Sequence, residues 1–125
     1  MEKLYIEATK YTPQIILDAD QGLLEISGKS YPENTFEFYQ PVLEWLETYF
    51  QAPQPTTLLR MEIIYFNSSS SKLFFDLFDL FEEHQESSEI TIEWIYDSEN
   101  ESALEAGEDF IEDFESLSIL LIEKT

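Results

Sequence analysis

The sequence predicts an α/β fold in which a mixed β-sheet packs with about three helices. Short apolar segments rich in β-branched and aromatic residues predict strands, and longer segments with apolar residues at helical spacing predict helices. In the later part of the chain these two kinds of segment alternate, which favours right-handed crossovers between parallel strands. The 125 residues are expected to form one domain, spanning residues 1–125.

Three strands are predicted before the first helix, at residues 4–7, 15–17 and 23–26. The loop at residues 18–22 ends in Gly22, which suits a turn position. We therefore expect an antiparallel hairpin at one side of the sheet.

The first helix is predicted to follow residues 31–34 and to run to about Phe50. Its apolar residues, beginning with Phe38, lie on one face at helical spacing. Pro41 lacks the N–H of a helix hydrogen bond. Two interpretations remain open: the helix begins near Gln40 with Pro41 in its first turn, or it is kinked at Pro41.

The rest of the chain is predicted to alternate between strands and helices after a linker at residues 51–55. The apolar segment at residues 57–66 has the character of a buried central strand. The remaining predictions are a helix from the following serines to about Gln85, a strand at residues 89–96, a helix at residues 100–114 and a strand at residues 118–122.

Charge and composition limit the classes of partner. The chain has 27 acidic and 6 basic residues and a net charge of −21, so Lys and Arg are too few to bind nucleic acid or an anionic membrane surface. No apolar segment approaches the roughly 20 residues that membrane insertion needs. The N-terminus lacks a signal-peptide pattern, and a cytoplasmic location is expected. The acidity either attracts a basic protein or only provides solubility, and both interpretations stay open.

No set of residues has the spacing of a catalytic or metal-binding motif. The chain has no cysteine, which excludes disulfides and thiolate ligands. The one histidine, His84, would lie roughly 24 Å from Ser68 on one helix, too far for a Ser–His pair. The carboxylates around the third helix lack EF-hand spacing. We expect no enzymatic activity, no metal and no cofactor.

The second predicted helix has more apolar residues than one face requires. Between Leu73 and Phe81 they cover more than half of the circumference, whereas packing on a sheet needs a stripe of about 100°. Phe75 or Leu80 is therefore either exposed, where it could contact a partner, or buried more deeply in a small core. Periodicity does not decide between these alternatives.

The polar segment between the central strand and this helix points to regulation. Asn67 and the serines from Ser68 to Ser71 are typical of a helix N-cap. Free N–H groups and the positive end of the helix dipole stabilise a phosphate at such a place. Lys72, one turn along, is the nearest expected counter-charge. This segment predicts a phosphorylatable switch, and a capping role for one of its residues is compatible with that.

Several short motifs along the chain together resemble those of a known family. They are Thr-Pro at residues 12–13, Gly-Lys-Ser-Tyr-Pro-Glu-Asn at 28–34, Val-Leu-Glu-Trp-Leu-Glu at 42–47, Tyr-Phe-Asn-Ser-Ser-Ser-Ser-Lys at 65–72, Trp-Ile-Tyr-Asp at 94–97 and Glu-Asp-Phe at 108–110. By these motifs the chain resembles, over nearly its whole length, the SiaC-type biofilm regulatory phosphoproteins, a bacterial family with a fold like the STAS domain of anti-sigma factor antagonists.

The resemblance implies a STAS-like sandwich that acts as a non-enzymatic signalling adaptor. In this family the hydroxyl residue directly after the Asn is phosphorylated by a protein kinase and dephosphorylated by a phosphatase. The unphosphorylated form binds and activates a diguanylate cyclase, which raises cyclic-di-GMP. By this resemblance the phosphorylated residue is Ser68, where better-known members have Thr. Classical STAS domains have an acidic residue where Asn67 stands.

The remaining site residues are expected to form two groups. The turn and the phosphate environment comprise Asn67, Ser69, Ser70 and Lys72, and the preferred serine among residues 68–71 stays open. An alternative function is a STAS-like module that binds a nucleotide or a lipid. The expected partner surface comprises Tyr31, Pro32, Glu33, Asn34 and Phe75.

Overall fold

The computed structural model describes residues 1–124, which form six strands and three helices. The order of the elements is the one predicted from the sequence. Their bounds are β1 (Leu4–Ile6), β2 (Gln14–Asp18), β3 (Leu23–Ser30), α1 (Thr35–Tyr49), β4 (Thr56–Phe66), α2 (Ser68–Glu83), β5 (Glu89–Asp97), α3 (Glu101–Asp113) and β6 (Ser118–Lys124).

The six strands form one mixed sheet in chain order. β1, β2 and β3 are antiparallel neighbours, whereas β3, β4, β5 and β6 are parallel. Each parallel pair is connected by one helix. The predicted fold class, with its N-terminal antiparallel hairpin and its parallel part, is confirmed.

Burial alternates along the strands and shows where the helices pack. In β4, Leu59, Met61 and Ile63 are buried, whereas Arg60 and Ile64 are exposed. Right-handed crossovers that always advance in one direction place their helices on the same face of a sheet. The core therefore lies between this face and the three helices, and no described element covers the opposite face.

α3 packs closely on the sheet because Gly107 has no side chain. A Cβ at this position would come within 2.6 Å of Trp94 Cδ1 and of Leu121 Cδ2. Trp94 is fully buried, and its indole N–H donates to the Ala103 carbonyl at 2.8 Å. Shape and one buried hydrogen bond thus hold α3 against β5 and β6.

The structure shows where α1 begins relative to Pro41. α1 begins at Thr35, so the interpretation that it begins near Gln40 is wrong. The proline is exposed in the helix interior, where the carbonyl of Glu37 lacks its usual donor. The N-cap formed by Asn34 and the buried face further along hold the helix together on both sides of the proline.

The excess apolar residues of α2 are covered. Phe75 and Leu80 are both half-buried and pack against the core, so the exposure considered for them is not observed. The Phe75 ring lies between α2 and α3, with ring centroids 5.1 Å from Phe110 and 5.8 Å from Phe114. Periodicity within α2 contained no information about the cover of Phe75, because α3 supplies it.

Candidate phosphorylation site and partner surface

All three helices begin at one edge of the sheet, where the parallel strands end, and an asparagine caps each of them. Asn34, Asn67 and Asn100 each accept a hydrogen bond from the backbone N–H three residues later, at 2.9–3.1 Å. The three caps are equally spaced in the chain, a signal that sequence reasoning missed. Three helix N-termini with their positive dipole ends therefore lie along one edge.

Ser68 is the first residue of α2, and its side chain is exposed. The preceding turn is fixed because the Asn67 N–H donates to the Ser30 carbonyl at 3.2 Å. The Asn67 carbonyl and side chain accept from the N–H groups of Ser71 and Ser70. The first N–H groups of α2, at Ser68 and Ser69, have no acceptor within the helix and are available to an anion.

The Ser70 side chain lies inside the protein. Its hydroxyl donates to the Ser30 carbonyl at 2.9 Å and lies 2.8 Å from the Ser30 hydroxyl, which lies 2.6 Å from the Tyr39 hydroxyl. Because the Ser70 proton goes to the carbonyl, Tyr39 donates to Ser30 and Ser30 donates to Ser70. Burial raises the pKa of Tyr39, although the Ser30 hydrogen bond opposes the rise, so the phenol stays a donor.

The four serines therefore differ in access. Ser68 and Ser69 are exposed, Ser71 is half-buried and Ser70 is fully buried. A kinase needs a hydroxyl that can enter its active site. The geometry favours Ser68 and Ser69 as the residues that could receive a phosphate. Ser70 instead joins β3, α1 and α2 beneath the turn.

A cleft of about 380 Å³ separates the starts of α1 and α2. Ser69 and Lys72 lie on one side of it, and Glu33 and Asn34 lie on the other. The exposed ring of Phe36 also lines this cleft. The structure thus brings the serine segment and part of the predicted partner segment together, although they are far apart in the chain.

Tyr31 belongs to a row of three tyrosines. Its ring makes edge-to-face contacts with Tyr11 and Tyr65, at centroid distances of 5.2 and 5.3 Å. Tyr11 and Tyr65 are exposed, whereas Pro32 is buried and supports the loop from below. Sequence reasoning named Tyr31 and missed its two neighbours, because they come from the loop before β2 and from the end of β4.

A second concavity, here called the N-terminal pocket, lies beside this row and has a volume of about 740 Å³. It combines residues of the N-terminal segment with the loop before α1. Its lining residues are Ile6, Glu7, Thr9, Tyr11, Thr12, Tyr31, Pro32, Glu33 and Phe38.

Among residues 1–124, no group of three His, Asp or Glu side chains is placed to hold a metal ion. His84 lies at the far end of α2 from Ser68 and stacks on Phe50, with a centroid distance of 4.8 Å. None of the described helices has the length and apolar character needed to cross a membrane.

The fold and the exposed serines are those expected of a small regulatory phosphoprotein. Comparison with known families supports this class, since the model of the SiaC family regulatory phosphoprotein matches residues 6–124. The chain belongs to the SiaC family, and the resemblance identified from the sequence motifs is confirmed.

Relatives and solved structures agree with this assignment. The chain is 39% identical over 114 residues to an uncharacterized protein of Pseudomonas aeruginosa strain UCBPP-PA14, covering 90% of each chain. It is similar to SiaC in a crystal structure of the diguanylate cyclase SiaD in complex with its activator SiaC from P. aeruginosa. The two chains are 36% identical with a TM-score of 0.89, and the match covers 97% of this chain and 99% of the other. In the crystal structure of apo-SiaC from the same organism, the chain is 32% identical, the TM-score is 0.83 and the match covers both chains completely.

Proposed function

We propose that this protein is a non-enzymatic cytoplasmic adaptor that binds and activates a diguanylate cyclase, and that phosphorylation of Ser68 prevents this binding. A protein kinase adds the phosphate and a phosphatase removes it, so that the pair controls cyclic-di-GMP and biofilm formation. The observation that carries the proposal is the exposed Ser68 hydroxyl at the first position of α2, in a fold that matches a cyclase-bound SiaC.

The local electrostatics favour a phosphate at Ser68. The N–H groups at the start of α2 and the positive end of its dipole stabilise an anion there. Lys72 lies one turn further along, and among residues 1–124 it forms no ion pair that would compete. Phosphorylation of this residue is therefore compatible with the native fold.

The same phosphate changes what the surface can bind. It adds about 1.5–2 negative charges at neutral pH. The adjoining cleft is already lined by Glu33 and Asp76, and the exposed Tyr65 ring precedes the turn. An acidic patch of a partner would be repelled by the phosphate, and an apolar patch would bind less well because the phosphate would have to lose water against it. Binding can thus be switched by a local charge with no change of fold.

The test of the phosphosite is mass spectrometry after incubation with ATP and lysate of the native host. We expect phosphate on Ser68 in the wild type and in Ser69→Ala, and its loss in Ser68→Ala. Ser69→Ala is the matched control because both serines are exposed on the first turn. Phosphate on Ser69 alone, or none in residues 67–72 while the lysate phosphorylates a reference substrate, would reject Ser68 as the switch residue.

The test of the switch is the affinity of these variants for a SiaD-type diguanylate cyclase of the same host. Ser68→Ala should bind and activate the cyclase like the unphosphorylated wild type. Ser68→Glu, and more strongly the phosphorylated protein, should bind at least tenfold more weakly, which corresponds to about 1.4 kcal/mol. Equal affinity of all three forms would contradict control by phosphorylation.

The volume of the N-terminal pocket supports one alternative function, the binding of a small ligand such as a nucleotide or a lipid. About 740 Å³ is within the range of small-molecule sites. A thermal-shift panel distinguishes the two functions: a clear stabilisation by one compound, combined with no response to phosphorylation, would favour the ligand-binding module.

A further inference from the structure

The N-terminal pocket has an unusual combination of lining groups. Three of its residues are aromatic, namely Tyr11, Tyr31 and Phe38, and two are carboxylates, Glu7 and Glu33. No lysine or arginine occurs among its described lining residues. The lining of the pocket therefore presents π-electron surface and negative charge.

This combination favours a cationic occupant. The faces of aromatic rings attract cations, and the attraction is strongest where the cation loses water. A guanidinium group also stacks on aromatic rings and donates in pairs to carboxylates, which a compact ammonium group does less well. The Tyr11 ring shows this attraction within the chain itself, since Nζ of Lys10, which is not among the lining residues, lies 5.8 Å from the centroid of the ring.

The pocket is continuous with the proposed partner surface. Tyr31 lines the pocket and also contacts Tyr65, which lies two residues before the capping Asn67. Glu33 lines both the pocket and the cleft beside Ser69. A protein that binds over the serine turn would thus cover the pocket as well, and one of its side chains could enter the pocket directly.

We propose that the N-terminal pocket binds an arginine side chain of the protein partner and so anchors it beside the phosphorylation site. This inference rests on the proposed function, because the anchor needs a partner. The net charge of −21 brings cationic groups of a partner toward the whole molecule, and the pocket gives one of them a defined place.

The carboxylates are tested with three single variants. Glu7→Gln and Glu33→Gln should each weaken binding to the SiaD-type cyclase by about three- to tenfold, as expected for the loss of one partly desolvated ionic contact. Glu86→Gln removes the same charge from an exposed turn after α2 and should change the affinity less than twofold. Because Glu33 also borders the cleft, Glu7→Gln is the decisive variant.

The aromatic wall is tested at Tyr11, which is exposed and therefore tolerates substitution. Tyr11→Leu should weaken binding severalfold, whereas Tyr11→Phe keeps the ring and should retain most of the affinity. Tyr5→Leu removes an equally exposed tyrosine outside the pocket and serves as the control. Thermal unfolding of each variant establishes that the fold is intact.

A titration with acetyl-arginine amide separates this inference from the proposed function. In NMR spectra of the wild type, the ring resonances of Tyr11 and Tyr31 should shift as acetyl-arginine amide is added. The shifts should be smaller in Glu7→Gln, and acetyl-glutamine amide should cause none. If the wild type binds no cyclase, the proposed function fails and this titration alone decides the chemistry of the pocket.

Two results would overturn the arginine anchor while the proposed function stands. The first is that the wild type binds the cyclase tightly and that Glu7→Gln lowers this affinity no more than Glu86→Gln does. The other is a nucleotide or lipid whose stabilising effect Tyr11→Leu abolishes, with cyclase affinity unchanged in the same variant, because the pocket would then be a small-ligand site.

Discussion

Ser70 differs from the other serines of its segment because its hydroxyl belongs to the interior. It completes an ordered chain in which Tyr39 donates to Ser30, Ser30 to Ser70 and Ser70 to a backbone carbonyl. Each hydroxyl in this chain depends on the next for an acceptor. These hydrogen bonds therefore connect the turn that presents Ser68 to the end of β3 and to Tyr39 of α1.

Replacing Ser70 by Ala should lower the free energy of unfolding by about 1–3 kcal/mol, because the buried Ser30 hydroxyl loses its acceptor. The exposed Ser69→Ala should change it by at most about 0.5 kcal/mol. Urea unfolding of both variants measures the difference. Equal stability of the two would show that the Ser30–Ser70 hydrogen bond contributes nothing to the native state.

The burial of Tyr39 predicts that the protein loses stability in alkaline solution. Burial raises its pKa in the folded state above the unfolded value of about 10, so the folded state holds the proton more tightly. The stability that this difference in pKa contributes is fully present below the pKa of the unfolded state and is lost as the pH rises above that pKa. The free energy of unfolding should fall more steeply above about pH 10 in the wild type than in Tyr39→Phe. Identical slopes would contradict the burial of the phenol.

At the scale of elements, α3 is positioned by the absence of a side chain at Gly107. Two effects of opposite sign compete there. In an exposed helix interior, Gly→Ala stabilises by about 1 kcal/mol through helix propensity. Here the added Cβ meets Trp94 and Leu121 at 2.6 Å, and Trp94 is packed too tightly to move away.

Gly107→Ala should therefore destabilise the protein by about 1–3 kcal/mol despite the better helix propensity. Ser102→Ala, at an exposed position in the first turn of the same helix, adds no crowding and should change the stability by at most about 0.5 kcal/mol. Chemical unfolding followed by Trp fluorescence measures both. A stabilised Gly107→Ala would mean that α3 shifts on the sheet at little cost.

On the scale of the whole molecule, the charge is barely compensated inside the protein. Residues 1–124 contain three ion pairs, all at least partly exposed, and Lys10, Lys29 and Lys72 are outside them. Self-repulsion of this kind destabilises a compact state and is screened by salt. The acidity thus has a cost in stability whether or not it also attracts a partner.

Raising NaCl from about 20 mM to about 500 mM should increase the Tm by about 3–6 °C through screening. Replacing Glu105, Glu108 and Glu112 by Gln removes adjacent like charges on the exposed face of α3 and should reduce this response. Differential scanning calorimetry at several salt concentrations provides the comparison. A Tm that does not depend on salt would contradict self-repulsion as a significant term.

The sequence by itself determined the order of strands and helices, because apolar periodicity is a local property that each segment carries in its own residues. It also determined the place of the serine turn, since Asn67 and its neighbours have the chemistry of a helix start. Only the tertiary structure decided what lies beside these segments. Ser70 is buried because Ser30 is beneath it, and Phe75 is covered by α3. Tyr31 contacts both Tyr11 and Tyr65 because the fold brings the loop before β2 and the end of β4 next to it. Such contacts join residues that are distant in the chain, so no local pattern encodes them.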